Sequence, residues 1–239
     1  MKLVVDGDIY AYTYAASNEE YEEYDGWLIP KWDMREMRAQ WDKFIAEKIP
    51  AHTEVVVAFS DSLNFRKKVE PTYKGNRKGV AKPIMYKPLV DWIKETYDCR
   101  VYPTLEADDI IGLLVSGEGY VSVSEDKDMR TIPGSHFSLK VNEVFSVSPA
   151  EADYFWMTQT LTGDTVDGYS GIPGIGPAKA PKILGDTATV DVLWPKVLAA
   201  YRQAGLTEKD ALTQARLARI LRHGDYNLDT RKVTLWQPN

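Results

Sequence analysis

The chain is poor in the features that mark secreted and membrane proteins. Cys99 is the only cysteine among 239 residues, so no disulfide can form within the chain. No apolar run approaches the roughly 20 residues that a membrane-spanning helix needs. Asp6 and Asp8 interrupt the N-terminal apolar stretch where a signal peptide would have its core. These scarcities exclude a disulfide-stabilised fold, indicate no membrane partner, and make the reducing cytoplasm the expected location.

The sequence also lacks the net positive charge that nucleic-acid-binding proteins normally carry. It has 29 Lys and Arg against 35 Asp and Glu, a formal charge of −6. If nine of these acids belonged to a metal site, 26 acidic residues would remain outside it, fewer than the 29 basic residues. Basic residues are moreover concentrated in one short segment, namely Arg66, Lys67, Lys68, Lys74, Arg77, Lys78 and Lys82. The acidic balance is therefore weak evidence against a nucleic-acid substrate.

What the chain does have is a series of acids placed mostly where apolar runs end. The nine are Asp6, Asp61, Glu106, Asp108, Asp109, Asp126, Asp128, Asp164 and Asp167. The carboxyl ends of strands in an open α/β sheet share one edge, and ligands bind in the crevice outside it. Carboxylates gathered there repel one another unless cations neutralise them, and Mg²⁺ prefers oxygen ligands. The pattern predicts a metal-dependent enzyme that acts on phosphate esters.

The order of predicted elements indicates an α/β domain followed by a helical module. Apolar runs predict strands at 2–6, 53–61, 99–103 and 120–124, with edge strands within 136–147. Helical spacing predicts helices over 33–48 and 84–97 and one starting near 106, and a basic loop or lid spans 64–83. From 149 onwards only helices are predicted, at about 149–162, 187–203 and 207–222. We therefore predict a mainly parallel sheet with helices on both faces over 1–148, and a helical module over 149–239. The segment 231–239 is either a last strand or a surface-packed tail.

Each acidic group has a simpler interpretation when it is taken alone. Glu106, Asp108 and Asp109 would complement the dipole of a helix that starts there. Asp164 and Asp167 lie in GDTVDGYSG, which has the composition of an ordinary loop. The recurrence of acids at one predicted sheet edge is what favours chemistry. Two Mg²⁺ ions about 4 Å apart would bind the attacking water and the leaving oxygen of a phosphodiester.

Two further segments are suited to binding nucleic acid. In FRKKVEPTYKGNRKG, Arg66, Lys74, Arg77 and Lys78 offer cations to phosphates, and Tyr73 offers a ring for stacking on a base. A solvated basic loop is the alternative interpretation of this segment. In GIPGIGPAK (171–179), a glycine-rich turn between helices would expose backbone N–H groups to a DNA phosphate. The residues involved there are Gly174, Ile175, Gly176, Lys179 and Lys182.

The order of these segments resembles a known family. VDGD, FR…PxYKxNR, EADD, DKD and GDxxDGYSGIPGIG follow one another as they do in the 5′-nuclease superfamily, which includes flap endonucleases and the exonuclease domains of bacterial polymerases. The strings FSDSLNFRK, YKGNRK and GDTVDGYSGI are most similar to the stand-alone 5′→3′ exonucleases of short-tailed coliphages. The resemblance covers essentially the whole chain.

This resemblance implies a fold and roles for the residues singled out above. The fold would be a PIN-like nuclease domain followed by a helix-three-turn-helix module with its hairpin at 171–176, where a K⁺ ion would help hold duplex phosphates. One Mg²⁺ would be held by Asp6, Asp61, Glu106, Asp108 and Asp109. The second Mg²⁺ would be held by Asp126, Asp128, Asp164 and Asp167, and Mn²⁺ would be able to substitute. Lys74 and Arg77 would assist catalysis from the base of an arch that also contains Tyr73.

The expected activity is Mg²⁺-dependent 5′→3′ exonucleolytic cleavage of duplex DNA by a monomer in a host cytoplasm. The resemblance also implies removal of RNA primers from RNA–DNA hybrids during phage DNA replication, with a single-strand DNA-binding protein as a partner. A structure-specific 5′ flap endonuclease is the alternative within the family. Two alternatives outside it are a PIN-type endoribonuclease, against which the duplex-binding hairpin argues, and a non-catalytic protein that binds DNA structures.

Overall fold

A six-stranded sheet organises the first part of the chain in this computed structural model, which describes residues 1–50 and 53–238. Its strands are β1 (Lys2–Asp6), β4 (Glu54–Ala58), β5 (Cys99–Arg100), β6 (Val121–Val123), β7 (Gly134–Ser138) and β8 (Glu143–Val147). They lie in the order β5-β4-β1-β6-β7-β8. All neighbours are parallel except β7 and β8. The predicted mainly parallel sheet is confirmed.

The central strand shows why this sheet forms. In β1, Leu3, Val4 and Val5 are all fully buried. Leu3 and Val5 belong to one apolar cluster and Val4 to another, because successive side chains of a strand point to opposite faces. An uninterrupted apolar run such as LVV is typical of a parallel strand that is covered on both faces. The acid that follows, Asp6, therefore lies where the buried strand reaches the edge of the sheet.

Helices cover both faces, as predicted. The helices that pack with the cluster of Leu3 and Val5 are α1 (Gly7–Ser17), α2 (Met34–Lys48) and α4 (Tyr86–Thr96). On the other face α5 (Ala107–Glu118) packs with the cluster of Val4, while α3 (Arg66–Val69) is a single turn. None of the helices in the described ranges is long and apolar enough to cross a membrane.

Four helices form a third cluster in the second part of the chain. They are α6 (Pro149–Thr162), α7 (Ala180–Leu184), α8 (Val190–Gln203) and α9 (Glu208–Ala218). A capping box starts α6, in which Ser148 and Glu151 bond each other's backbone N–H groups. This start coincides with the predicted boundary, but Ile220, Leu221 and Tyr226 pack on the cluster around α5. The division into two domains stays a prediction.

Several local predictions differ from the structure. The predicted strand over 99–103 is only two residues long. Edge strands were expected within 136–147, but β7 lies inside the sheet and only β8 is an edge strand. The exposed hairpin β2 (Glu20–Tyr24) and β3 (Trp27–Lys31) was not predicted, although its turn has the Asp-Gly sequence typical of hairpins. In the tail, β10 (Lys232–Val233) pairs with β9 (Tyr226–Asn227). The Trp236 ring then packs edge-on against Trp156, with ring centroids 4.9 Å apart. The tail thus contains a strand and also packs on the helices.

Candidate active site

Most of the predicted acids line one cavity at the carboxyl edge of the sheet. The cavity has a volume of about 1050 Å³. Its acids from the predicted set are Asp6, Asp61, Glu106, Asp108, Asp126, Asp128 and Asp167. They come from the end of β1, from the loops after β4 and β6, from the start of α5 and from the loop after α6. The parallel arrangement of β1, β4 and β6 brings these segments to the same edge.

Two acids of this cavity, Asp6 and Asp108, strongly resist ionisation. Asp6 accepts hydrogen bonds from the backbone N–H of Ile9 (3.1 Å) and the hydroxyl of Ser124 (2.9 Å). Burial, reinforced by the neighbouring charges of Asp8 and Asp126, nevertheless raises the pKa of Asp6 to about 7. Burial together with Asp6 and Asp126 raises the pKa of Asp108 well above its ordinary value. These carboxylates therefore need added positive charge to be ionised together.

Two other acids of the cavity are stabilised in the ionised form. The Asp61 carboxylate accepts hydrogen bonds from the backbone N–H groups of Thr104 (2.8 Å) and Ser62 (2.7 Å), and the bond from Thr104 contributes most to lowering the pKa of Asp61. Burial by itself would raise the pKa of Glu106. Lys74 and then Arg66 outweigh that effect and hold the pKa of Glu106 at about 2. The negative charge of Glu106 is thus already balanced by Lys74 and Arg66.

Lys74 and Arg77 lie at the cavity and connect two loops. The ammonium of Lys74 lies 2.5 Å from Oε1 of Glu106 and 3.5 Å from Oδ1 of Asp167. The Arg77 guanidinium lies 2.7 Å from the same oxygen of Asp167. The backbone of Lys74 has a left-handed φ of 55°, and its N–H donates to the carbonyl of Asp167 (2.8 Å). The structure therefore brings both predicted catalytic cations to the acids.

Asp164 lies in the loop after α6, as Asp167 does, but it does not line the cavity. Its carboxylate lies 2.5 Å from the ammonium of Lys127, a residue between the two aspartates of DKD that the sequence reasoning did not use. The loop is closed at its base by Gly163 and Gly171, both with positive φ. A Cβ on Gly163 would lie 2.3 Å from the carbonyl carbon of Ser170, so only glycine fits there. A role for Asp164 as a metal ligand stays a prediction.

Asp109 is wrongly predicted as a metal ligand, and Arg66 is wrongly predicted as a DNA contact. The Asp109 carboxylate is fully buried, and both of its oxygens accept hydrogen bonds of 2.7 Å from the guanidinium of Arg66. Arg66 is itself 3% exposed and also donates to the backbone carbonyls of Leu217 and Arg219. Both side chains therefore belong to an internal ion pair that neither a metal ion nor DNA can reach.

Tyr73 is likewise not available for stacking on a base. Its ring is 2% exposed and packs in the apolar cluster of the C-terminal helices. Its hydroxyl lies 3.1 Å from Oε2 of Glu106 and 2.9 Å from Oδ2 of Asp167, donating toward both acids. The prediction of stacking is corrected, because the structure places this phenol as a support between two acids of the cavity.

The donor set of the cavity fits hard divalent cations. Within residues 1–50 and 53–238, no three of the acidic, histidine or cysteine side chains enclose a position ready for an ion. Mg²⁺ does not require such an enclosure, because it usually keeps several waters and takes one or two carboxylates together with substrate phosphates. The raised pKa of Asp6 indicates a site at which a cation would replace a proton. The ammonium groups of Lys74 and Lys127 lie against the carboxylates of Glu106 and Asp164, respectively.

The turn at 171–176, predicted as a phosphate-binding loop, is exposed only at Pro173 and Gly174, and the backbone N–H of Ile175 donates to the carbonyl of Ile172 (3.0 Å). Gly174 has a positive φ of 78°, and its carbonyl accepts a hydrogen bond from the ammonium of Lys179 (2.9 Å). Lys182 is exposed in the short helix α7, and Lys78 is exposed beside the loop of Lys74. Ile175 and Gly176 are half-buried. The binding of DNA by these residues stays a prediction.

The cavity also contains residues that the sequence reasoning did not assign to binding. Asp8 accepts hydrogen bonds from the hydroxyl of Tyr86 (2.9 Å) and the backbone N–H of Ser60 (3.1 Å). Tyr86, Lys82 and Lys94 form a wall of the same cavity. The spacing of Tyr86 and Lys94 within the predicted helix 84–97 was the available signal, but it does not reveal which face of that helix meets the acids.

Comparison with known proteins finds a matching family and similar relatives. Residues 1–154 match the family described as "5′-3′ exonuclease, N-terminal resolvase-like domain". The exonuclease of Escherichia phage T7 is 33% identical over 229 residues, which cover 80% of this chain and 76% of that protein.

Solved structures share the fold at low sequence identity. A crystal structure of the T5 D15 protein co-crystallised with metal ions has a TM-score of 0.59 and 17% identity, and covers 91% of this chain and 88% of that one. A T5 D15 flap endonuclease in a pseudo-enzyme-product complex with DNA and metal ions has a TM-score of 0.56 and 16% identity, and covers 91% and 89%. The mainly parallel sheet with its helices is therefore that of the 5′ nucleases.

Proposed function

Because this chain belongs to the 5′–3′ exonuclease family and is a nuclease, we propose that it hydrolyses duplex DNA from 5′ ends with two divalent metal ions. The observation that carries this proposal is the convergence of seven predicted acids and Lys74 on one cavity. An acid-rich cavity repels phosphate unless cations intervene, so the acids favour a metal-dependent reaction. Mg²⁺ is the proposed ion, with Mn²⁺ as a substitute.

The proposed roles apply the family resemblance to the acids of the cavity and to Asp164, which lies outside it. Asp6, Asp61, Glu106 and Asp108 would hold one ion, and Asp126, Asp128, Asp167 and Asp164 the other. Bound there, the ions would activate water and stabilise the charge that develops on the phosphate. Lys74, now on Glu106 and Asp167, would donate to a nonbridging oxygen of the scissile phosphate. Arg77, paired with Asp167, would contact the same phosphate from the more exposed side.

The substrate and setting are proposed from the relatives. The T7 relative is named an exonuclease, and the T5 structure holds DNA and metal ions. We propose duplex DNA with a 5′ end as the substrate, cleavage of the RNA strand of RNA–DNA hybrids, and action as a monomer in a host cytoplasm. A single-strand DNA-binding protein would assist, and K⁺ at the 171–176 turn would help hold duplex phosphates.

Substitution of Asp126 tests this proposal. Asp126→Ala should abolish cleavage of a 5′-labelled duplex, because one ion loses a ligand, while binding of the duplex stays within a few-fold of wild type. Duplex binding would be measured by fluorescence anisotropy in Ca²⁺ and cleavage in Mg²⁺. Retained turnover in this variant would disprove the assignment of Asp126 to a metal ion.

A further inference from the structure

The cavity extends past the acids along one side of helix α4. Tyr86, Val90 and Lys94 follow one another at intervals of four residues and all line the cavity. Tyr12 of α1 lies opposite, with its ring centroid 6.2 Å from that of Tyr86. The cavity therefore has an aromatic and basic wall in addition to its acidic floor.

Two lysines of this wall, Lys82 and Lys94, lie over aromatic rings. The Lys82 ammonium lies 4.1 Å from the ring centroid of Tyr86, and the Lys94 ammonium lies 5.1 Å from that of Phe59. Across residues 1–50 and 53–238, neither makes an ion pair. Lys87 and Asp91 also line the cavity but differ, since the Lys87 ammonium lies 2.5 Å from the carboxylate of Asp91. Lys82 and Lys94 thus have no carboxylate partner within these residues, whereas Lys87 is paired with Asp91.

The ring that supports Lys82 is itself fixed in position. Its hydroxyl donates a 2.9 Å hydrogen bond to Asp8, in the first turn of α1, and the second Asp8 oxygen accepts from the backbone of Ser60. An ammonium above an aromatic face is attracted by the ring, yet its N–H groups remain free to donate to an anion. The wall therefore presents Lys82 above a fixed ring and Lys94 above Phe59, in the same cavity as the acids that would carry metal ions.

We propose that Lys82 and Lys94 bind the phosphate that lies on the 5′ side of the scissile bond. This inference rests on the proposed function, because it assumes that the scissile phosphate lies at the acids. The strand that leaves must then pass along one of the cavity walls, and the α4 wall has cations without acidic partners. When a mononucleotide is released, the bound group is the terminal 5′-phosphate. In a 5′-flapped substrate it is the next phosphodiester of the flap.

Three DNA substrates of the same sequence test the proposal: a duplex with a 5′-phosphate, a duplex with a 5′-hydroxyl, and a 5′-flapped duplex. In the 5′-hydroxyl duplex, a cut between the first two nucleotides has no phosphate on its 5′ side. Wild-type kcat/KM should therefore be about tenfold or more lower for it than for the other two, as the loss of one charge-assisted hydrogen bond implies. The variant Lys82→Ala/Lys94→Ala should lose this discrimination, and Lys87→Ala should keep it.

The outcomes separate this inference from the proposed function. No cleavage of any substrate by wild-type protein in Mg²⁺ would refute the proposed function. Equal wild-type kcat/KM on phosphorylated and hydroxyl ends, or a double variant with the wild-type discrimination, would overturn the α4 site alone. Inhibition by a nucleoside 5′-monophosphate gives a second measurement, in which the double variant should need about tenfold more inhibitor. A thermal transition like that of wild type would show that the double variant is folded.

Discussion

The guanidinium of Arg66 makes two hydrogen bonds of 2.7 Å to the carboxylate of Asp109, and both side chains are buried. The pair extends to the C-terminal segment, because Arg66 also donates to the carbonyls of Leu217 (3.1 Å) and Arg219 (2.6 Å). The Arg66 guanidinium also lies 3.1 Å from the carboxylate of Glu106, which lines the cavity. One internal ion pair therefore connects the start of α5, the basic segment and the end of α9 behind the acids.

Neighbouring acids of α5 should give opposite results when neutralised. Asp109→Asn removes one partner of a buried ion pair and should lower the free energy of unfolding by about 3–5 kcal/mol. Asp108→Asn should leave that free energy unchanged or raise it, because burial and the charges of Asp6 and Asp126 already disfavour its ionised form, as its raised pKa shows. Asp108→Asn should instead lose cleavage. Urea unfolding and cleavage assays in Mg²⁺ measure both effects, and the reverse pattern would contradict this assignment.

Removal of Lys74 should slow the chemical step more than it weakens DNA binding. Its ammonium lies beside Glu106 and Asp167, where it would meet a phosphate at the metal ions. Lys74→Ala should lower kcat by about a hundredfold or more, as removal of a preorganised charge donor does. It should also raise the pKa of Glu106, since Lys74 is the main influence that lowers it. Steady-state kinetics at several pH values would measure both effects, and a change confined to KM would contradict a catalytic role.

Asp6 should make the metal-free protein less stable as the pH rises. Its pKa is about 7 in the folded protein, against 3.8 ordinarily, so the folded state binds more protons than the unfolded state between these values. The free energy of unfolding should therefore fall as the pH rises from about 4 to 7 in EDTA. Asp6→Asn should flatten part of this decline, and Mg²⁺ should reduce it in the wild-type protein. Equal pH profiles for wild type and Asp6→Asn in EDTA would contradict this expectation.

The convergence of the acids could be predicted from the sequence because it depends only on strand order. Apolar runs mark the strands, and parallel strands end at one edge, so Asp6 and Asp126 meet although the chain separates them widely. The same rule does not distinguish Asp108 from Asp109, because adjacent residues at a helix start point in different directions. Which of them enters the cavity depends on Arg66, 43 residues before Asp109, and that pairing has no periodic signal.

Burial of polar groups was the main source of error. Tyr73 and Arg66 have the composition of a nucleic-acid contact, yet the C-terminal helices cover both side chains. A sequence pattern cannot show that a later helix covers an earlier loop. The lack of an ion pair at Lys82 and Lys94, among the residues that the structure describes, could not be predicted either. It depends on where acids from distant parts of the chain lie.

Metal-dependent cleavage from 5′ ends can be measured with end-labelled DNA. Two copies of one DNA duplex, labelled at the 5′ end and at the 3′ end, would be incubated with the protein in Mg²⁺ and in EDTA. We expect release of a mono- or short oligonucleotide from the 5′ label and a shortening ladder from the 3′ label, in Mg²⁺ only. Cleavage that persists in EDTA, or that proceeds from the 3′ end, would contradict the account.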